Sequence, residues 1–285
     1  MKIKQVLEAL ERFAPLPLQE SWDNAGLQIG LTEAEVSGAL LCLDVTEAVV
    51  DEAIRRGCNL IVSHHPLLFR GLKQVADMND VQRTVRRAIK EDICVVSMHT
   101  NLDNAQDGVN FKIAEKIAPP LAPQTPPPAP PRTERGEASP LTPSQKERGI
   151  KGMGDEQKPG QWVMLTLETP MESRTFVEFV KERMEAQCAM CNELLHRPIQ
   201  KVAICGGAGD FLLDDVIAAG ADAFVTGEMH YHQYFGHEQE IQICVIGHYE
   251  SEHFTTEVLR DVIERECPGV RCCIAETNTN PVRWV

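Results

Sequence analysis

The sequence predicts an α/β protein of two similar lobes, each a parallel or mixed sheet flanked by helices. Three observations carry this. Short apolar runs alternate with helical patterns from residue 39 to 118, as in a parallel sheet covered by helices. The alternation returns over 161–285. Between them, 119–160 turns abruptly to proline, glycine and charge.

The elements follow in order. Ile3, Val6, Leu7, Leu10 and Phe13 recur at helical spacing. ALLCLDV (39–45) reads as a buried strand. TEAVVDEAIRR (46–56) reads as a helix, with Thr46 as its N-cap and Gly57 as its stop. NLIVSHH (59–65) is a second strand, NDVQRTVRRAIKE (79–91) a helix, ICVVSMHT (93–100) a third strand and DGVNFKIAEKIA (107–118) a helix. These complete a first lobe, 1–118.

Residues 119–160 hold too few large apolar side chains to offset their ordering entropy, and read as a flexible linker or insertion. A proline-rich docking segment is the second reading. The second lobe, 161–285, opens with a strand at 161–169 and a helix at 173–187. Strand 201–207, helix 210–219, strand 222–228, helix 230–240, strand 241–249, helix 251–266 and a last strand near 270–277 follow. The halves echo each other. A strand ends in Ser63-His64-His65 in one and in Thr226-Gly227-Glu228 in the other, and a further strand in each ends at a histidine, His99 or His248.

Bulk properties narrow the function. A formal net charge of −14 repels phosphate backbones and counts against nucleic acid as a partner. The N-terminal pattern lacks the apolar run of a signal peptide. No run approaches the ~18 apolar residues of a membrane span. A cytoplasmic protein is expected. Of ten cysteines, Cys42, Cys94, Cys205 and Cys244 lie in strand-like runs and read as small buried hydrophobes. The Cys188/Cys191 CxxC lacks the second ligand pair that zinc would need, or a thioredoxin-like context for redox work.

Ligand sites in parallel α/β sheets form beyond the carboxyl ends of strands, and there the reactive residues collect. His64 and His65 end one strand, His99 ends another with Asp103 just after it, and Glu228, His230 and His232 follow a third. His248 ends a fourth, with Glu252 four residues on. If helical geometry reaches back to His248, it shares a face with Glu252; otherwise it is a capping histidine beside a solvated glutamate. His64 and His65 reach one site only if their strand has ended, as Pro66 encourages; otherwise one is core and one is surface. Three histidines and two carboxylates exceed what one catalytic metal takes while keeping an open position, and suit two divalent ions bridged by a carboxylate. CGGAGD (205–210) is either a phosphate-binding helix N-terminus or a tight strand–helix turn.

SWDNAGLQIG (21–30), IVSHHPLLF (61–69), SMHTNLDNAQDGVN (97–110), ICGGAGD (204–210), DAFVTGE (222–228), GHYESEHF (247–254) and TNPV (279–282) resemble, in that order, motifs of the dinuclear-metal, toroid-forming NIF-like family. Its members carry the name GTP cyclohydrolase 1 type 2 homologue. The resemblance spans nearly the whole chain except about 119–160, where some members carry an extra inserted domain. It implies His64, His65, Asp103, His248 and Glu252 as ligands of two divalent metal ions (zinc, iron, manganese, cobalt or nickel), in a site at strand ends between the lobes. His99, and more weakly Glu228, take catalytic or supporting roles, and Trp22, Asp23 and Asn24 support the site. A homohexameric ring built as a trimer of dimers is implied as well.

The expected activity is metal-dependent hydrolysis, with a metal-bridging hydroxide attacking the guanine ring of GTP and His99 moving the proton. A two-metal phosphoesterase and a metal-binding regulator or metal-handling protein without turnover are the alternatives. A small-molecule or nucleotide substrate is the expected partner besides the chain itself.

Overall fold

The computed structural model describes residues 1–118, 149–153 and 158–285. The core of the proline-rich segment therefore lies outside the described residues. The first lobe starts with helix α1 (Ile3–Phe13), whose Ile3, Val6, Ala9 and Leu10 are buried. Strand β1 (Gly26–Ile29), which the residue pattern did not signal, is followed by β2 (Ala39–Cys42), α2 (Glu47–Arg55), β3 (Leu60–Ser63), α3 (Asp80–Lys90) and β4 (Cys94–Ser97). Short helix α4 (Thr100–Asp103) and α5 (Val109–Ile117) complete it. Every residue of β2, β3 and β4 is buried, as expected of strands covered on both faces. Thr46 caps α2 by accepting from the Val49 amide, and Gly57 supplies the left-handed turn that ends it, at φ 63°.

The second lobe holds β5 (Ile150–Met153), β6 (Trp162–Met171), α6 (Ser173–Arg183), β7 (Met190–Cys191), β8 (Ile199–Ala208), α7 (Leu213–Ala218), β9 (Ala223–Glu228) and β10 (Gln242–Val245). Helices α8 (His248–Glu252) and α9 (Thr255–Glu266) and strand β11 (Cys272–Ile274) end the chain. The two sheets run β1-β4-β3-β2-β11 and β5-β6-β8-β9-β10-β7. Each contains a parallel trio, β2-β3-β4 or β8-β9-β10; antiparallel strands flank the second trio on both sides, whereas the first has antiparallel β1 beside β4 only. The two similar lobes with mixed sheets are thus present.

Four expectations need correction. Strand β11 leaves the second lobe and pairs parallel with β2, so the segment 161–285 does not keep to one sheet. Strand β5 lies inside the stretch read as linker and pairs with β6; its one buried residue, Ile150, is too little for a sequence pattern to register. Residues 230–240 form only a 3-10 turn at Tyr231–Tyr234, since that stretch has no apolar stripe to bury. The helix expected from Ser251 begins at His248 instead. Buried residues of both sheets, among them Leu41, Val62, Val96, Ile204 and Val225, form one cluster with Phe111 and Ile113 of α5. The lobes share a core.

All ten cysteines are free. Burial pushes the thiol of Cys94 up to about 11 and that of Cys244 to about 12, which suits packing rather than reactivity.

The returning C-terminus is held by Glu52 of α2. Its carboxylate accepts from the Glu276 and Thr277 amides, both at 2.9 Å, from Thr277 Oγ1 at 2.6 Å and from Arg56 Nη1 at 2.9 Å. Burial works to raise its pKa, but these donors outweigh it and bring it to about 2, against an ordinary value of 4.5. A carboxylate depressed on folding contributes stability that is present above pH 4.5 and lost as pH falls toward 2. Glu52→Gln should therefore cost about 2–3 kcal/mol at pH 7 and less at pH 3. Urea titrations of both proteins at the two pH values check this, and an equal loss at both would contradict it.

Candidate metal centre

The site forms beyond the carboxyl ends of β3, β4, β8 and β10. Strand β3 stops at Ser63, so the alternation of side chains stops with it. The His64 and His65 rings then lie 4.9 Å apart and both turn inward. Ser97 Oγ donates to the His64 carbonyl at 2.9 Å and Ser63 Oγ to that of His65 at 2.8 Å, which fixes the turn. Helix α8 begins at His248 and carries Glu252 one turn on, so the pair shares a face.

Each inward histidine is anchored by its outer nitrogen. Nδ1 of His64 bonds the Met98 carbonyl at 2.8 Å, that of His65 bonds Asp44 at 2.7 Å, that of His248 bonds Glu228 at 2.8 Å and that of His99 bonds Asp23 at 2.7 Å. Bonding to a carbonyl or carboxylate puts the proton on Nδ1 and leaves the Nε2 lone pair for the cavity, the arrangement seen around metal-bound imidazole. Asp44 also accepts from Thr279 Oγ1 at 2.7 Å, which ties the C-terminal TNPV segment to His65.

Glu252 lies at the centre, with a side chain only 5% exposed. Its Oε2 is 2.9 Å from His65 Nε2 and 3.0 Å from His248 Nε2, while Oε1 is 3.7 Å from His64 Nε2. Asp103, at the end of α4, brings Oδ1 to 3.6 Å from His64 Nε2. Two triads have mutual spacing suited to one ion each, His65-His248-Glu252 and His64-Asp103-Glu252, and Glu252 belongs to both. His64, His65 and His99 form a third such group.

The charges support the same reading. Burial lowers His64 below its ordinary value and keeps it neutral. Its Nε2 is fully buried without a hydrogen-bond partner, a costly condition unless a Lewis acid takes the lone pair. Burial and the neighbouring Glu252 carboxylate push Asp103 well above the carboxylate range. For Glu252, burial is outweighed by the surrounding histidines, which hold it far below that range. Burial also opposes charge on His65 and His248, but the Asp44 and Glu252 carboxylates raise His65 to about 10, and Glu252 raises His248 to about 9. A cation would relieve the carboxylate pair and release those protons. Ligands bound at about 2.1 Å to one tetrahedral ion stand about 3.4 Å apart, close to the gaps at His64. The nitrogen and oxygen donors fit a divalent first-row metal.

Other residues fall outside the cluster. Glu228 touches His248 from behind and does not line the cavity. His230 is 84% exposed against Asp210, and His232 packs on Tyr231. The glycine turn of CGGAGD is not a phosphate cradle, because its Gly206, Gly207 and Gly209 amides donate to Asn110, Ser251 and Thr226. Its role is clearance: Gly207 has φ 58°, and a Cβ there would clash with Glu252 Oε1 and stand 3.2 Å from its Cδ. Gly207→Ala should therefore displace Glu252 and lower metal content by more than half. Elemental analysis after dialysis against zinc checks this, and an unchanged count would refute the clearance role.

The residue pattern missed Asp44 and understated Asp23. Asp44 lies at the end of the apolar run 39–45, where strand-end position was the available signal.

Together these features define a mixed α/β protein with a histidine–carboxylate cluster able to hold metal. The chain belongs to the Duf34/NIF3 (NGG1p interacting factor 3) family, whose sequence model matches residues 1–281. A Clostridium perfringens protein named GTP cyclohydrolase 1 type 2 homolog is 30% identical over 287 residues, covering 100% of both chains. A Clostridium acetobutylicum protein of that name is 29% identical, covering 90% of this chain and 85% of its own. A Staphylococcus aureus crystal structure superposes with a TM-score of 0.80 at 26% identity, covering 100% of this chain and 99% of that one. A Bacillus cereus protein related to NIF3 shares the fold, with a TM-score of 0.78 at 23% identity and coverage of 100% and 99%.

Proposed function

We propose that the protein is a dinuclear metal-dependent hydrolase. The observation that carries this is Glu252 shared between two ligand triads whose histidines are all anchored through Nδ1. In this reading His64, Asp103 and Glu252 hold one divalent ion, and His65, His248 and Glu252 hold the other. When bound, such ions supply Lewis acidity and hydroxide at neutral pH.

The chain's own residues position and move protons. Asp44 and Glu228 orient His65 and His248. His99, oriented by Asp23, lines the same cavity and is placed to take and return a proton at Nε2. The relatives' shared name directs the chemistry to hydrolytic opening of the guanine ring of GTP. A homohexameric ring and a cytoplasmic location go with this reading. Among the described residues no helix is long and apolar enough to cross a membrane.

The test is metal per chain in untagged protein, then turnover of GTP and of phosphoesters. Two ions per chain with GTP turnover support the reading; no metal after reconstitution sinks it. His99→Gln should lower turnover by about 10²–10⁴-fold and spare both ions. Loss of metal would instead make His99 a ligand, and two ions without turnover on any substrate would favour a metal-handling protein.

A further inference from the structure

The cavity around the cluster, about 730 Å³ in volume, has a second chemistry at its mouth. Trp22, Phe69 and Phe211 line it, yet remain 58%, 46% and 64% exposed. Trp22 stands edge-on to Phe69 at 5.8 Å, and the two stand edge-on to His99 at 6.1 and 6.2 Å. Large aromatic side chains left in water around one opening are costly. They offer flat apolar faces to a flat ligand.

Outside the metal cluster, the described residues lining the cavity offer an anion no cationic side chain. Among the described residues lining the cavity there is no lysine or arginine, whereas Glu20 and Asp210 add carboxylates beyond the metal cluster. Lys158, close by, lies 2.5 Å from Glu20. The glycine-turn amides at 206, 207 and 209 are already committed. A polyphosphate thus meets carboxylates where it needs donors, while the N–H groups of a heterocycle meet acceptors.

We infer that this mouth is a stacking site for an uncharged planar heterocycle bearing N–H donors, a base or nucleoside, and that appended phosphates add nothing to its retention. The inference rests on the hydrolase reading and specifies what that site holds.

Calorimetric titration of the metal-loaded full chain with guanosine and with GTP tests it without turnover. Guanosine should bind one per chain, and GTP no tighter. Trp22→Ala should weaken guanosine binding at least tenfold with metal content unchanged. Phe211→Ala, on a different segment, should weaken it at least threefold and carries the test if Trp22→Ala fails to fold. Guanosine that does not bind, GTP bound more than threefold tighter, or full affinity in the folded variants would overturn the inference. A chain that hydrolyses GTP without holding guanosine sinks this inference alone. One that holds guanosine through Trp22 but hydrolyses nothing sinks the hydrolase alone.

Discussion

If the centre is dinuclear as proposed, Glu252→Gln should leave a folded chain that retains less than one metal ion where the wild type should retain two. The carboxylate spans both triads, so its loss removes a ligand from each. The amide also presents a donor where His65 and His248 Nε2 now find an acceptor at 2.9 and 3.0 Å. Loss of a first-sphere ligand exceeds the 10–100-fold loss of affinity typical of outer-sphere changes, so dialysis at micromolar metal should empty both positions. Asp103→Asn offers the contrast. Asp103 belongs to one triad, so about one ion should remain. Elemental analysis with circular dichroism on both variants decides the matter. Two ions retained in Glu252→Gln, or identical losses in both variants, would rule out Glu252 as the shared ligand.

Much of this candidate centre was legible in the sequence because its residues sit where α/β folds put chemistry. The strand ends at His64, His99 and His248 follow from apolar runs that stop, and the parallel trios follow from strand–helix alternation. The i,i+4 relation of His248 and Glu252 depended on where α8 begins. Gly247, at φ 103°, makes the sharp turn that lets the helix start at His248, and apolar periodicity does not register such a turn. What stayed hidden is long-range. The pairing of β11 with β2, the clamp from Glu52 to Thr277 and the bond from Asp44 to Thr279 join residues more than 200 apart. Strand β1 was missed because only Gly26 and Ile29 of its four residues are buried, which leaves a weak pattern. The anchoring of each Nδ1 is also tertiary, and it distinguishes a ligand-ready histidine from one that merely lines a core.

Asp23→Asn should lower turnover by about 10²–10⁴-fold while leaving metal content unchanged. The Asp23 side chain is fully buried and accepts from His99 Nδ1 at 2.7 Å, from the Thr100 amide at 3.0 Å and from Thr100 Oγ1 at 2.5 Å. Burial alone would raise its pKa, but the bonds from His99 and Thr100 outweigh that and hold it near 2, so the group is a carboxylate throughout the working pH range. Asparagine keeps the shape and can still accept from Thr100. If its amide donates to His99, Nδ1 must become the acceptor and the proton moves to Nε2. The cavity-facing nitrogen then changes from a base to a donor, so a proton-accepting His99 fails without any change at Glu252. The signature is non-additivity. If Asp23 acts through His99, Asp23→Asn/His99→Gln should be no slower than His99→Gln alone. A further tenfold loss in the double variant, or near wild-type turnover in Asp23→Asn, would show that the Asp23–His99 pair serves the fold and not the proton transfer.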